Sequence, residues 1–194
     1  MNERVTLKDG SSVLIRPMSL EDRDRSLEFF RALPEEDRIY LRTDVTREEN
    51  IDRRYRRMEF GEIRCLVATD DDRIVADGAL ELEGRDWKTH LAEWRLFVAP
   101  SHQRKGLGVL MSRELHALAM DEGVEEVMVR TMRPQKAAQS ILRRLGFKQD
   151  AVLTDYVRDL EGVKQDLIVM RCDLEGLWRE MEDYMAESDW QRTR

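Results

Sequence analysis

The stretch LFVAPSHQRKGLGVLMSRELHALA, residues 96–119, limits the fold more than any other part of the chain. An apolar run of strand-forming residues ends at Pro100. A short loop with two cations and two glycines follows, Arg104, Lys105, Gly106 and Gly108. From Gly108 onward, helix formers take over, and Leu110, Leu115 and Leu118 fall on one side. A strand that leads straight into a helix through so short a loop needs a sheet beneath and a helical layer above.

The rest of the chain supplies both layers. VTLKDGSSVLIRP reads as a hairpin turning at Asp9-Gly10 and ended by Pro17. Ser19-Leu20-Glu21-Asp22 has the form of a capping box, opening a helix to about Leu33. Pro34-Glu35-Glu36 marks a second helical start. Thr46-Arg47-Glu48-Glu49 repeats the capping pattern for a helix reaching about Met58. Strands are predicted over 64–68, 73–82, 90–98 and 126–132, then 147–156 and 165–173. Helices are predicted over 108–122, 135–145 and 174–186, with Gly123 and Gly146 as stops for the first two. We expect a mixed α/β single domain over 1–173. Its central sheet has about seven strands, mostly antiparallel, flanked by helices. An amphipathic helix and tail over 174–194 complete the chain, with Leu177, Trp178, Met181 and Tyr184 as the apolar stripe. Such a stripe is that of a core or of a homodimer contact.

Composition narrows the function. Charged residues make up 38% of the chain and the net charge is −7, which disfavours a duplex nucleic-acid binder. The overall negative field is a weak pull toward cationic substrates such as amines. Cys65 and Cys172 stand apart, without CxxC spacing, and read as buried reduced thiols. No apolar stretch approaches the roughly 18 residues of a membrane span, and the N-terminus carries no secretory core. A cytoplasmic location is expected. His90, His102 and His116 show no metal-ligand spacing, so no metal is assigned. His102 reads as an exposed side chain beside the loop. RRYRRMEF, residues 53–60, reads as a solvated helix end with cations at its favourable C-terminus, rather than a nucleic-acid contact.

The loop has a direct chemical reading. Helix N-termini present unpaired N–H groups and partial positive charge. Glycine lets that backbone approach a ligand, and Arg104 and Lys105 add full charges. The result is an anion site suited to phosphates. Its pattern, Gln103-x-x-Gly106-x-Gly108 after WRLFVAP, is neither a Walker A loop nor a dinucleotide fingerprint. It resembles the acetyl-CoA loop of the GNAT N-acetyltransferase family, and the resemblance covers about residues 13–173. It implies that Phe97, Val98, Gln103, Arg104, Lys105, Gly106, Leu107, Gly108 and Val109 face acetyl-CoA. QKAAQSILRRLGF is similar to the second cofactor helix of that family, placing Gln135, Ala138 and Leu142 along the pantetheine. The family usually has a tyrosine as general acid where this chain has Leu142, which cannot donate a proton. Tyr156 is a remote substitute and reads better as a packing residue.

Acyl transfer to an amine needs a neutral nucleophile. A lysine-type amine with a pKa near 10.4 costs about 4.6 kcal/mol to neutralise at pH 7. Glu93 is the one carboxylate in HLAEWRLFVAP, and the resemblance implies that it is the general base. The resemblance likewise implies a backbone N–H at Val98 or its neighbour as donor to the developing oxyanion. Residues 9–42 are similar to the start of the acetyltransferase domain of bacterial protein-lysine acetylases, though the large partner domain of those proteins is not part of this sequence. Three functions follow: acetylation of a small amine or amino acid, acetylation of protein lysines, and a non-catalytic acyl-CoA-binding module.

Overall fold

The computed structural model describes residues 2–174, apart from 83 and 85, together with residue 176. The expected helix over 174–186 therefore lies almost wholly outside the described residues, as does its apolar stripe.

Among the described residues one sheet of eight strands organises the chain, slightly above the expected total of about seven and equal to the strands predicted one by one. Its strands are β1 (Glu3–Thr6), β2 (Ser12–Pro17), β3 (Ile63–Asp70), β4 (Arg73–Leu82), β5 (Leu91–Val98), β6 (Glu126–Met132), β7 (Lys148–Arg158) and β8 (Lys164–Asp173). They lie in the order β1-β2-β3-β4-β5-β6-β8-β7. Every pairing is antiparallel except that of β5 with β6. The turn at Asp9-Gly10 closes with the Leu7 N–H on the Ser11 carbonyl at 2.7 Å.

The helices divide between the two faces. A short 3₁₀ turn (Leu20–Asp22) leads into α1 (Arg23–Ala32), followed by α2 (Glu35–Arg38) and α3 (Glu48–Glu59). The Ser19 amide donates to the Asp22 carboxylate at 2.8 Å, which is the carboxylate half of the expected box. The second expected box fails. Thr46 Oγ1 donates to Asp44 instead, at 2.5 Å, and Arg47 becomes the residue before α3. A side chain that finds an acceptor in the preceding turn no longer caps the helix.

On this face Phe29, Phe30, Leu27, Ile51 and Tyr55 form an apolar cluster with Ile63, Val67 and Ala79 of the sheet. The opposite face carries α4 (Leu107–Asp121) and α5 (Lys136–Arg144). There Leu107, Met111 and Leu115 are buried against Leu80, Trp94 and Phe147. A Cβ at Gly78 would come within 3.1 Å of Leu115 and 3.3 Å of Met111, so α4 sits this low on β4 because that position is glycine. The alternation of β5 sorts the faces: Glu93, Arg95 and Phe97 point toward α1 and α3, Trp94, Leu96 and Val98 toward α4.

Candidate active site

The parallel ladder between β5 and β6 is short. It joins Leu91 to Glu126, Ala92 to Val127 and Glu93 to Met128, then stops. Both strands continue, β5 to Val98 and β6 to Met132. Past Glu93 a gap therefore opens in the middle of the sheet, where backbone groups that a ladder would satisfy face open space.

The orientation of Val98 follows from the neighbouring ladder. Val98 pairs with Ala76, and the Ala99 N–H donates to the Val75 carbonyl at 2.8 Å. Antiparallel alternation then turns the Val98 N–H and carbonyl away from β4, toward the gap. The Val98 carbonyl accepts from Gln103 Nε2 at 3.0 Å. Gln103 thus links strand and loop.

The loop closes onto α4 through Gly106, which caps the helix at φ +89°. A left-handed cap is strained for any residue with a Cβ. The helix begins one residue earlier than expected, at Leu107, which is fully buried and anchors the loop. The amides of Leu107 and Gly108 have no intrahelical acceptor by their position. A Cβ at Gly108 would meet nothing within 4 Å, so the space above this turn is open to a ligand. Arg104 is exposed and Val109 half-buried. Lys105 is engaged: its Nζ lies 2.7 Å from Asp9 Oδ2, and its carbonyl accepts from the Lys8 amide at 3.0 Å. The hydrogen bond from Lys105, with those from Ser11, holds the Asp9 carboxyl well below the usual range. The hairpin turn thereby braces the loop. His102 is buried rather than exposed, with Nδ1 at 2.9 Å from Ser101 Oγ and Nε2 at 3.4 Å from Asp70.

The third wall of the gap is α5. Gln135 precedes it and accepts from the Met132 amide at 2.8 Å. Ala138 and Leu142, one turn apart, are both half-buried, and Leu142 packs on the core. Gap, loop and α5 form a cradle whose open amides and glycine-lined floor fit a long diphosphate-bearing thioester. Phe97 departs from its expected place. Its ring turns to the other face, edge-on to Phe30 at 5.6 Å, and its backbone pairs with Asp77 of β4. Tyr156 is not a packing residue; it is 66% exposed, in the irregular part of β7.

Glu93 sits at the apex of the gap, on the α1–α3 face. It is buried, and Oε2 accepts from Arg42 Nη1 at 2.5 Å and pairs with Arg130 Nη2 at 3.0 Å. Beyond it lies a pocket lined by five arginines and two carboxylates, with Phe30 and Phe97 among its apolar walls. Glu81 holds three of those arginines: Arg95 at 2.5 Å, Arg57 at 3.4 Å and Arg42 at 3.6 Å. Arg54 forks onto Asp77 with contacts of 2.6 and 2.9 Å and stacks over Phe30 at 5.5 Å. Burial pushes the Asp77 carboxyl up, against the pull of Arg54. The RRYRR segment is thus not a solvated helix end. Two of its arginines turn inward, which the sequence signals weakly: Arg54 lies three residues after buried Ile51, on the inner face of α3.

Among the described residues there is no group of three or more His, Cys, Asp or Glu side chains placed to hold a metal, and no helix long and apolar enough to cross a membrane.

Several solved structures are similar to this chain in overall shape. The GNAT domain of PAT from S. lividans superposes with a TM-score of 0.73 at 17% identity, covering 89% of this chain and 96% of that one. YncA from Salmonella typhimurium, a putative acetyltransferase solved with its cofactor acetyl-CoA, gives 0.69 at 20% identity, with 84% and 95% covered. The ribosomal-protein-alanine N-acetyltransferase of Brucella melitensis gives 0.70 at 20% identity, with 82% and 98% covered. No curated protein sequence matches the chain. Residues 26–147, which span α1 to the start of β7 and so include the gap, the loop and α5, match the Acetyltransferase (GNAT) family. The chain belongs to that family of acyl-CoA-dependent N-acetyltransferases, with acetyl-CoA as co-substrate.

Proposed function

We propose that this protein moves an acetyl group to a primary amine by direct attack in a ternary complex. The observation that carries the reading is the position of Glu93: a buried carboxylate at the last paired residue before the sheet opens. Acetyl-CoA supplies the activated acyl group, and the chain supplies four services around it. The Leu107 and Gly108 amides with Arg104 hold the diphosphate. Ala138 and Leu142 line the pantetheine arm. The Val98 N–H donates to the oxygen on which charge develops. Glu93 takes the proton of the incoming ammonium, directly or through one water.

Glu93 is held by two guanidinium groups, and both meet the same oxygen, Oε2. Oε1 carries neither contact and is the oxygen that takes the proton. Leu142 offers no proton to the departing thiolate, which therefore leaves to water. The acceptor enters from the arginine-lined pocket, whose cavity of about 110 Å³ suits a small amine head group. The test is release of CoA from acetyl-CoA with a panel of primary amines, run in parallel on the wild type and Glu93→Gln. Turnover that the substitution lowers about 100-fold supports the assignment; turnover that it leaves unchanged removes Glu93 from the chemistry.

A further inference from the structure

The pocket beside Glu93 has the wrong charge for a simple amine. The chain as a whole is negative, at −7, yet five arginines and only two carboxylates line this cavity. Adding Glu93 and its second partner Arg130 leaves the excess as it was, since one charge of each sign enters. Arg54, Arg57 and Arg95 are committed to Asp77 and Glu81. Arg53 lines the same cavity, and its Nη2 donates to the neutral Asn50 side chain. Arg42 makes both of its carboxylate contacts through Nη1, which leaves Nε and Nη2 able to bind another anion.

A monocationic amine meets a cost here, because it adds positive charge to a pocket already rich in it. An amine that carries its own carboxylate avoids it. Its ammonium meets Glu93 Oε1, which neither Arg42 nor Arg130 contacts, and its carboxylate meets Arg42 at Nε and Nη2. Two ion pairs are added, and the pocket gains no net charge.

We infer that the acceptor of this enzyme is a small amine bearing a carboxylate beside it, of the α-amino-acid type, its ammonium recognised by Glu93 and its carboxylate by the Nε–Nη2 edge of Arg42. The inference rests on the acetyl-transfer reading above, but its test does not need turnover. Arg42 is then a specificity-determining residue.

The experiment is equilibrium binding by calorimetry to the full chain saturated with CoA. The probes are L-methionine against 3-(methylthio)propylamine and L-leucine against 3-methylbutylamine, pairs that differ only in the carboxylate. We expect each amino acid to bind at least about tenfold more tightly than its decarboxylated partner. Arg42→Gln should erase that difference by weakening the amino acid alone, while Arg42→Lys retains part of it. Equal binding within a pair, preference for the plain amine, or no amino acid binding at millimolar concentration would each overturn the inference, and the wild-type comparison decides even if the variants fold poorly. Acetyl transfer to these same probes is followed separately. Its failure with intact amino-acid preference would count against the transferase reading and leave the recognition standing.

Discussion

The two faces of the sheet differ in what holds them and in what they display. The α4–α5 face is apolar beneath and ends in open backbone: Leu107 and Met111 anchor a helix whose first amides face the gap. The α1–α3 face is apolar at its rim and ionic at its centre, with Arg54 on Asp77 and three arginines around Glu81. In the proposed function the first face offers backbone amides to the donor's diphosphate. The second presents side chains, which select. A common donor and a particular acceptor would be met by such a division, and Glu93, at the mouth of the gap but on the ionic face, stands where the two meet.

The largest expected effect breaks the ionic face alone. Arg54→Ala leaves Asp77 buried without its forked partner and should destabilise the fold by about 3–5 kcal/mol, read by denaturant unfolding. Survival at wild-type stability would mean that the ion pairs do not hold α3 to β4. Next comes the backbone face. Gly108→Glu places a side chain in space that no protein atom fills, so folding should be spared. CoA affinity should fall by about 100-fold or more, through steric overlap and charge repulsion, since each tenfold is only about 1.4 kcal/mol.

The third substitution tests the meeting point. Glu93→Gln should lower kcat/KM about 100-fold while CoA affinity measured by titration stays within a factor of two or so. A parallel loss of CoA binding would place Glu93 in the cradle rather than in proton transfer.

The smallest effect concerns the approach to the ionic face. Asp22 is buried; burial alone would raise its carboxyl, but two hydrogen bonds from Arg16, at 2.6 and 2.7 Å, and the Ser19 amide hold it down at about 2. Its folded value lies below the ordinary 3.8, so its contribution is present above that value and is lost as pH falls toward 2. The loss should be about 1–2 kcal/mol across that window, and Asp22→Asn should flatten this part of the stability profile.

The same division governs what could be read from sequence. The cradle depends on local order: strand, Pro100, cations, Gly106, Gly108, helix, all within a dozen or so residues. Local chemistry fixes it, so spacing reveals it. The ionic face joins residues far apart in the chain, Arg54 to Asp77, Arg57 to Glu81 and Arg42 to Glu93. Those pairings exist only once the segment from Arg42 through α3 lies over the sheet, and the sequence marks only Arg54, weakly, by its spacing from Ile51. His102 was misplaced for a similar reason: its burial comes from packing near Asp70, thirty-two residues away. Thr46 shows a local failure too, since a competing acceptor at Asp44 outdid the helix it should have capped.

Amide hydrogen exchange on the full chain, with and without CoA, tests the cradle most directly. We expect slower exchange at residues 104–109 and along 94–98 of β5 when CoA is added, with residues 42–57 unchanged. Protection confined to 42–57, or none at either place, would contradict the assignment of the two faces.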